Sequence, residues 1–136
     1  MIPKTYRLAV KNGTGVNQEN ASGARITVAA VPWRKLASGR TQYGPKEIIY
    51  ALASGQTLDD GSYARSDVQR NDPSGWDGVD VFLAVTTHGA ANSDVTCYLE
   101  ASDDGGTTTW QTNGNGQSVC ALPFASATTK RAFGRI

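Results

Sequence analysis

Cys97-Tyr98-Leu99-Glu100-Ala101-Ser102-Asp103-Asp104-Gly105-Gly106-Thr107-Thr108-Thr109-Trp110 is an apolar strand that breaks into a polar turn and restarts on an aromatic. Gly105 and Gly106 tolerate the positive φ angles of a tight turn, and the neighbouring Asp carboxylates can accept bonds from turn N–H groups. Trp110 is placed to fold back onto the strand before it. The stretch therefore predicts a β-hairpin rather than a catalytic loop.

Working outward, the same grammar repeats. Tyr6 to Val10 alternates and then meets Lys11-Asn12-Gly13-Thr14-Gly15, which predicts a first strand and a turn. Arg25 to Val31 is β-branched and predicts a second strand closed by Pro32, with loop composition between Gly15 and Gly23. Lys46 to Leu52, after Tyr43-Gly44-Pro45, reads as a third strand, and Ser62 to Gln69 as a short polar edge strand. Asn71 to Gly78 is dense in breakers. Val79 to Thr87 is the strongest apolar run and predicts a central strand. Val95 to Ala101 follows, then a turn at Asn113 to Gly116, a strand at Val119 to Leu122, and a last one at Thr129 to Phe133. About eight short strands without an amphipathic helix predict an all-β fold, an antiparallel β-sandwich or jelly roll, with residues 1–136 as one domain. The segments 1–6 and 130–136 are expected to be extended arms.

Composition agrees with a loop-rich β protein: 39% hydrophobic residues, 15 glycines and a mean hydropathy of −0.37 in 136 residues. A net charge of +1 gives no overall attraction to nucleic acid or membrane, and neither is expected as a partner. Charge is nonetheless segregated along the chain. Residues 1–46 carry eight Lys or Arg against Glu19 alone, whereas residues 47–110 carry eleven acids against Arg65 and Arg70. Either the fold has a basic and an acidic side, or strands from the two regions interleave and mix the charges; mixing is the expectation. No apolar run approaches the roughly 20 residues of a membrane span, and the first residues lack a leader-like apolar core.

Chemistry is sparse. His88 is the only imidazole and reads as a solvated residue at a strand end, and no nucleophile-elbow, zinc-protease or phosphate-loop motif occurs. Asp103 with Asp104, or Asp72 with Asp77 and Asp80, offer loop oxygens to a calcium ion, but their spacing departs from the EF-hand pattern and turn-making explains them better. Cys97 and Cys120 have no metal-like spacing with His88. They are either a disulfide, should their strands pair in an oxidising compartment, or two buried thiols, and the second is the expectation. No cofactor and no catalytic residue is expected.

The run from Ser102 is similar to the Asp-box repeat of sialidases and related propellers, Ser-x-Asp-x-Gly-x-Thr-Trp, through Ser102, Asp104, Gly106 and Trp110. An extra Thr precedes Trp110 and only one copy is present, whereas a propeller repeats its blades. That box is itself a turn and not a catalytic site. Over the region from Val79 to Leu122, the chain resembles small virion proteins of tailed bacteriophages, in which segments similar to Tyr98 to Thr107 recur in β-sandwich modules of capsid decoration and tail proteins. The resemblance implies a non-enzymatic structural protein of the virion, assembled in the host cytoplasm. A capsid decoration or cement protein binding the major capsid protein and copies of itself is the first expectation. A glycan-binding or structural module of a tail, fibre or baseplate is the second. Surfaces of this kind use flat aromatics that bury area at low entropic cost. The residues expected at the interface are Tyr6, Trp33, Tyr43, Trp76, Lys130, Arg131 and Phe133, with Trp110 expected to pack under its own hairpin and Trp33 alternatively plugging the core.

Overall fold

The computed structural model describes residues 2–71, 75–106, 110–111 and 116–136. Its strands are β1 (Thr5–Asn12), β2 (Gln18–Glu19), β3 (Arg25–Lys35), β4 (Thr41–Tyr43), β5 (Glu47–Ala51), β6 (Thr57–Leu58), β7 (Tyr63–Arg65), β8 (Gln69–Arg70), β9 (Gly78–Thr86), β10 (Ser93–Ala101), β11 (Gln117–Phe124) and β12 (Thr129–Arg135), with one 3₁₀ turn at Asn20–Ser22. The chain is an all-β sandwich of two antiparallel sheets. Sheet I runs β11-β10-β1, with β7 and β8 both along the far edge of β1; sheet II runs β12-β9-β3, with β4 and β5 both along the far edge of β3. β2 and β6 form a separate ribbon.

Alternation builds the core. On β9 the odd residues Val79, Val81, Leu83 and Val85 are buried, as are Val95, Cys97 and Leu99 on β10, Tyr6, Leu8 and Val10 on β1, and Ile26, Val28 and Ala30 on β3. A strand's side chains point alternately to opposite faces, so these four sets meet between the sheets. Each buried aliphatic side chain stabilises the fold by about 1.5–3 kcal/mol, and this common interior joins strands far apart in sequence.

Three expectations are corrected here. β3 does not close at Pro32 but continues to Lys35. Pro32 O accepts the Gly44 N–H at 2.8 Å, so the side of Pro32 that lacks an N–H faces the β4/β5 edge. There β5 pairs with Ala30 and the residues before it, while β4 pairs from Trp33 onward. Proline thus sits at the seam where no strand asks for its donor. Second, the stretch from Ser62 to Gln69 is two short strands, β7 and β8, rather than one. Third, the expected arms are largely sheet: Thr5 and Tyr6 open β1, and residues 130–135 pair with β9. Ile136 continues that pairing, exchanging backbone bonds with Val79 at 3.0 and 3.2 Å.

The hairpin between β10 and β11 keeps its expected glycines, with φ of 74° at Gly105 and 84° at Gly106. Its organiser is the Ser102 hydroxyl, which accepts the Gly106 N–H at 2.9 Å and donates to Asp104 Oδ1 at 2.7 Å. Thr107 to Thr109 and the turn expected at Asn113 to Gly116 (through residue 115) lie outside the described residues.

Candidate docking face

The outer face of sheet II carries an apolar row that crosses four strands. Register aligns Phe133 on β12 with Phe82 on β9, Phe82 with Ala29 on β3, and Ala29 with Ile48 on β5. Phe133 is 54% exposed, Phe82 38% and Ile48 67%, whereas Ala29 lies at the bottom of the row, buried between its larger neighbours. The Phe82 and Phe133 rings meet at 5.2 Å and 57°. A shallow cleft of about 200 Å³ opens over this row, bounded by Ile48, Phe82, Lys46 and Arg131. Isolated exposed apolar residues are ordinary, but a contiguous aromatic and aliphatic row with a charged rim is the composition of an interaction surface.

The rim is basic. Lys46 Nζ lies 5.1 Å from the Phe82 ring centroid, and Arg131 stands on the same strand and face as Phe133. Arg135, the next outward residue of β12, makes a two-pronged pair with Asp80, at 2.7 Å through Nε and 2.8 Å through Nη2. Its guanidinium also lies 4.9 Å from the Trp33 ring and donates to the Tyr43 hydroxyl at 3.2 Å. One arginine thereby holds β12, β9, β3 and β4 together at the end of the row. Trp33 Nε1 is buried and finds no acceptor among the described residues.

Of the seven residues expected at an interface, Trp33, Tyr43, Arg131 and Phe133 come together on this face. Tyr6 does not: it is a core residue, 5% exposed. Its hydroxyl is pushed up to about 12, first by burial and then by the nearby Glu47 carboxylate. Lys130 points the other way along β12, donating to Pro123 O and lying 5.5 Å from the Phe124 ring. Trp76 is half-buried at one end of the sandwich, under the Arg34 guanidinium at 5.2 Å. The Asn71 side chain clamps the Trp76 backbone at both its N–H (3.0 Å) and its carbonyl (2.9 Å). Beside it opens a cleft of about 220 Å³ lined by Tyr6, Glu47, Gln69, Arg70 and Asn71 over an apolar floor. Phe82, Ile48 and Lys46 were not anticipated. For Phe82 the signal was the phase of Asp80, which places the even residues of β9 on the outer face.

Sheet I carries a different cluster on its outer face. Glu100, fully buried, accepts Arg7 Nε at 2.7 Å and Arg65 Nε at 3.0 Å on the same oxygen. Arg7 is stacked 4.1 Å from the Trp110 ring, so Trp110 lies on a neighbouring strand's arginine and not only against Gly106 of its own hairpin. Charges from the basic and acidic thirds of the chain are thus paired here, as mixing predicts, while sheet II keeps a basic excess at Lys46 and Arg131.

The remaining candidates are structural in place. His88 is no solvated bystander, since its Nε2 accepts the Glu19 N–H at 2.9 Å and its own N–H donates to the buried Gln18 side chain at 3.0 Å. Gln18 in turn donates to Thr14, and Thr14 to Asn12, whose amide closes the 12–19 loop on Val16 and Leu58 carbonyls. Asp77 accepts the Lys35 N–H and Asp80 is taken by Arg135, so these two acids are not gathered into an oxygen cage. Asp72 lies outside the described residues. No group of three or more His, Cys, Asp or Glu side chains suited to a metal exists among the described residues. Cys97 and Cys120 are directly opposite each other on β10 and β11, and both are free thiols. The chain matches no protein-family model, no curated protein and no solved structure.

Proposed function

We propose that this chain is a non-enzymatic structural protein of a tailed-phage virion, a capsid decoration or cement protein that docks on the major capsid protein through the outer face of sheet II. The observation that carries the reading is the exposed row Phe133, Phe82, Ala29 and Ile48 with Lys46 and Arg131 at its rim. Such a face suits a partner surface that is apolar at its centre and acidic at its edge. On a shell that repeats its subunits, each copy needs only a modest contact, and contacts between neighbouring copies multiply the effect through effective concentration. The resemblance to virion sandwiches supports this choice of partner, and rigid strands rather than loops present the contact residues.

The test is co-sedimentation of the purified protein with expanded, undecorated capsids, comparing wild type with Phe82→Ala/Phe133→Ala. Saturable binding that the double variant loses supports the reading. A wild-type protein that stays monomeric and does not sediment with shells overturns it.

A second reading, a glycan-binding module of a tail, fibre or baseplate, is favoured by the cleft beside Trp76, where an indole adjoins Asn71, Gln69, Glu47 and Arg70. Titrating host polysaccharide against tryptophan fluorescence distinguishes the two, because a protein that docks only on the capsid should give no response to the polysaccharide.

A further inference from the structure

We propose that Cys97 and Cys120 form a reversible disulfide within the folded chain, a redox staple that pins the edge strand β11 to β10. The two residues are partners in the antiparallel register. Facing Cα atoms of such a pair lie about 4.5–5.5 Å apart, inside the range of roughly 4.4–6.8 Å that a disulfide spans. Both side chains point to the same side of sheet I, since Cys97 belongs to the core and Cys120 packs against it. The two thiols interact directly enough that each shifts the other's acidity. No strand has to move far for the sulfurs to join.

The local backbone explains why the pair meets. The register shifts by one residue just beyond Cys97, where Val119 is the extra residue on β11. A bulge of this kind turns consecutive side chains toward one face, and Val119 and Cys120 both pack against the core. β11 is an edge strand, and the connection from β10 to β11 lies between the two cysteines in the sequence. Closing the staple would make that connection a covalent loop.

Exposure sets the order of events. Cys97 is buried and Cys120 is half-exposed, so only Cys120 can meet a reagent from solution. The interaction with Cys120, and then burial, push the Cys97 thiol up, while the interaction with Cys97 lowers Cys120. With a small-molecule disulfide as oxidant, the Cys120 thiolate attacks one sulfur and expels a thiolate, leaving a mixed disulfide on Cys120. Cys97 then gives its proton to that leaving thiolate and attacks Cys120 Sγ, expelling the second half of the reagent as a thiol after proton uptake from water. Two cysteine thiols are oxidised, and one external disulfide is reduced to two thiols.

The experiment treats the folded protein with oxidised glutathione, alkylates remaining thiols, and maps peptides without reduction by mass spectrometry. The expected result is a Cys97–Cys120 linked peptide in monomeric protein, reversed by dithiothreitol. Cys97→Ala should instead accumulate the glutathione adduct on Cys120, and Cys120→Ala should leave Cys97 unmodified until the chain is unfolded. Persistent free thiols in the wild type, a stable adduct without ring closure, or a Cys120-linked dimer would each overturn the proposal. Circular dichroism of both variants verifies that they are folded, so that a negative result reports on the pair itself.

Discussion

Replacing Glu100 should cost more stability than any other single charge change among the described residues. Its side chain is 0% exposed, and it holds two guanidinium groups that are 17% and 29% exposed, at 2.7 and 3.0 Å. Removing one partner of a buried ion pair typically costs about 3–5 kcal/mol. Both arginines here reach water at one side, and Arg7 keeps its stacking on Trp110, so the lower end applies and Glu100→Ala should lose about 3 kcal/mol. Glu100→Gln keeps the shape and one acceptor oxygen but loses the charge that roughly doubles each bond, and should lose about 1–2 kcal/mol. With an unfolding entropy near 2.1 cal/mol/K per residue, the alanine variant should melt about 10 °C below wild type. Urea titration followed by tryptophan fluorescence measures the losses. The decisive comparison adds Arg7→Met to each background, because without Glu100 the two cations repel and removing one of them should recover part of the loss. An alanine variant within about 0.5 kcal/mol of wild type, or strict additivity of Arg7→Met and Glu100→Ala, refutes the claim that this buried carboxylate neutralises the two arginines beside it.

Tyr6 gives an alkaline signature. Its folded pKa of about 12 lies above the ordinary value of 10.0, so the native state retains a proton that the unfolded chain gives up. Stability is therefore intact below pH 10 and falls as pH rises toward 12, by about 2 kcal/mol; denaturation across this window should show the fall in wild type and a flatter profile in Tyr6→Phe. On sheet II, Phe133→Ala should change stability by less than about 1 kcal/mol because the ring is mostly in water, while its capsid affinity falls at least tenfold by co-sedimentation. His88→Ala orphans the Glu19 N–H and should cost about 1–2 kcal/mol, with hydrogen exchange at the Glu19 amide accelerating beyond the rest of the sheet.

The strands legible in the sequence were those whose interior phase is uninterrupted. Val79 to Val85 and Val95 to Leu99 are short apolar, β-rich runs bounded by breakers, and the glycines at 105 and 106 could only be a turn. Pro32 misled because its local rule is correct for a strand with neighbours on both sides, while the seam between β4 and β5 is a property of the sheet. At the C-terminus the strand from Thr129 was legible, but its extension to Arg135 and its partner were not: nothing local in residues 130–135 says that β9 offers them an open edge. Register is the missing quantity throughout. It brings Arg7 to Glu100, Cys97 to Cys120 and Phe133 to Phe82 across gaps of 93, 23 and 51 positions, and each meeting depends on the whole sandwich. Trp33, Tyr43, Arg131 and Phe133 were selected as aromatic or basic residues near strand ends, without showing that they share the outer face of sheet II. Phe82 escaped because a nearly continuous apolar run reads as buried on both sides, although Asp80 already marked the outward phase.

The size sequence along the row of sheet II, large, large, small, large, gives the surface a profile as well as a composition. Ala29 leaves a notch one strand wide between the ridge of the two phenylalanines and the isoleucine. A flat surface laid across it would touch only the crests and leave the floor empty. The notch favours a counterpart that offers a single narrow tooth, spaced so that acidic groups beside it reach Lys46 and Arg131. Fit of that sort works as a gauge: it rejects a surface displaced by one strand spacing even when its chemistry is right.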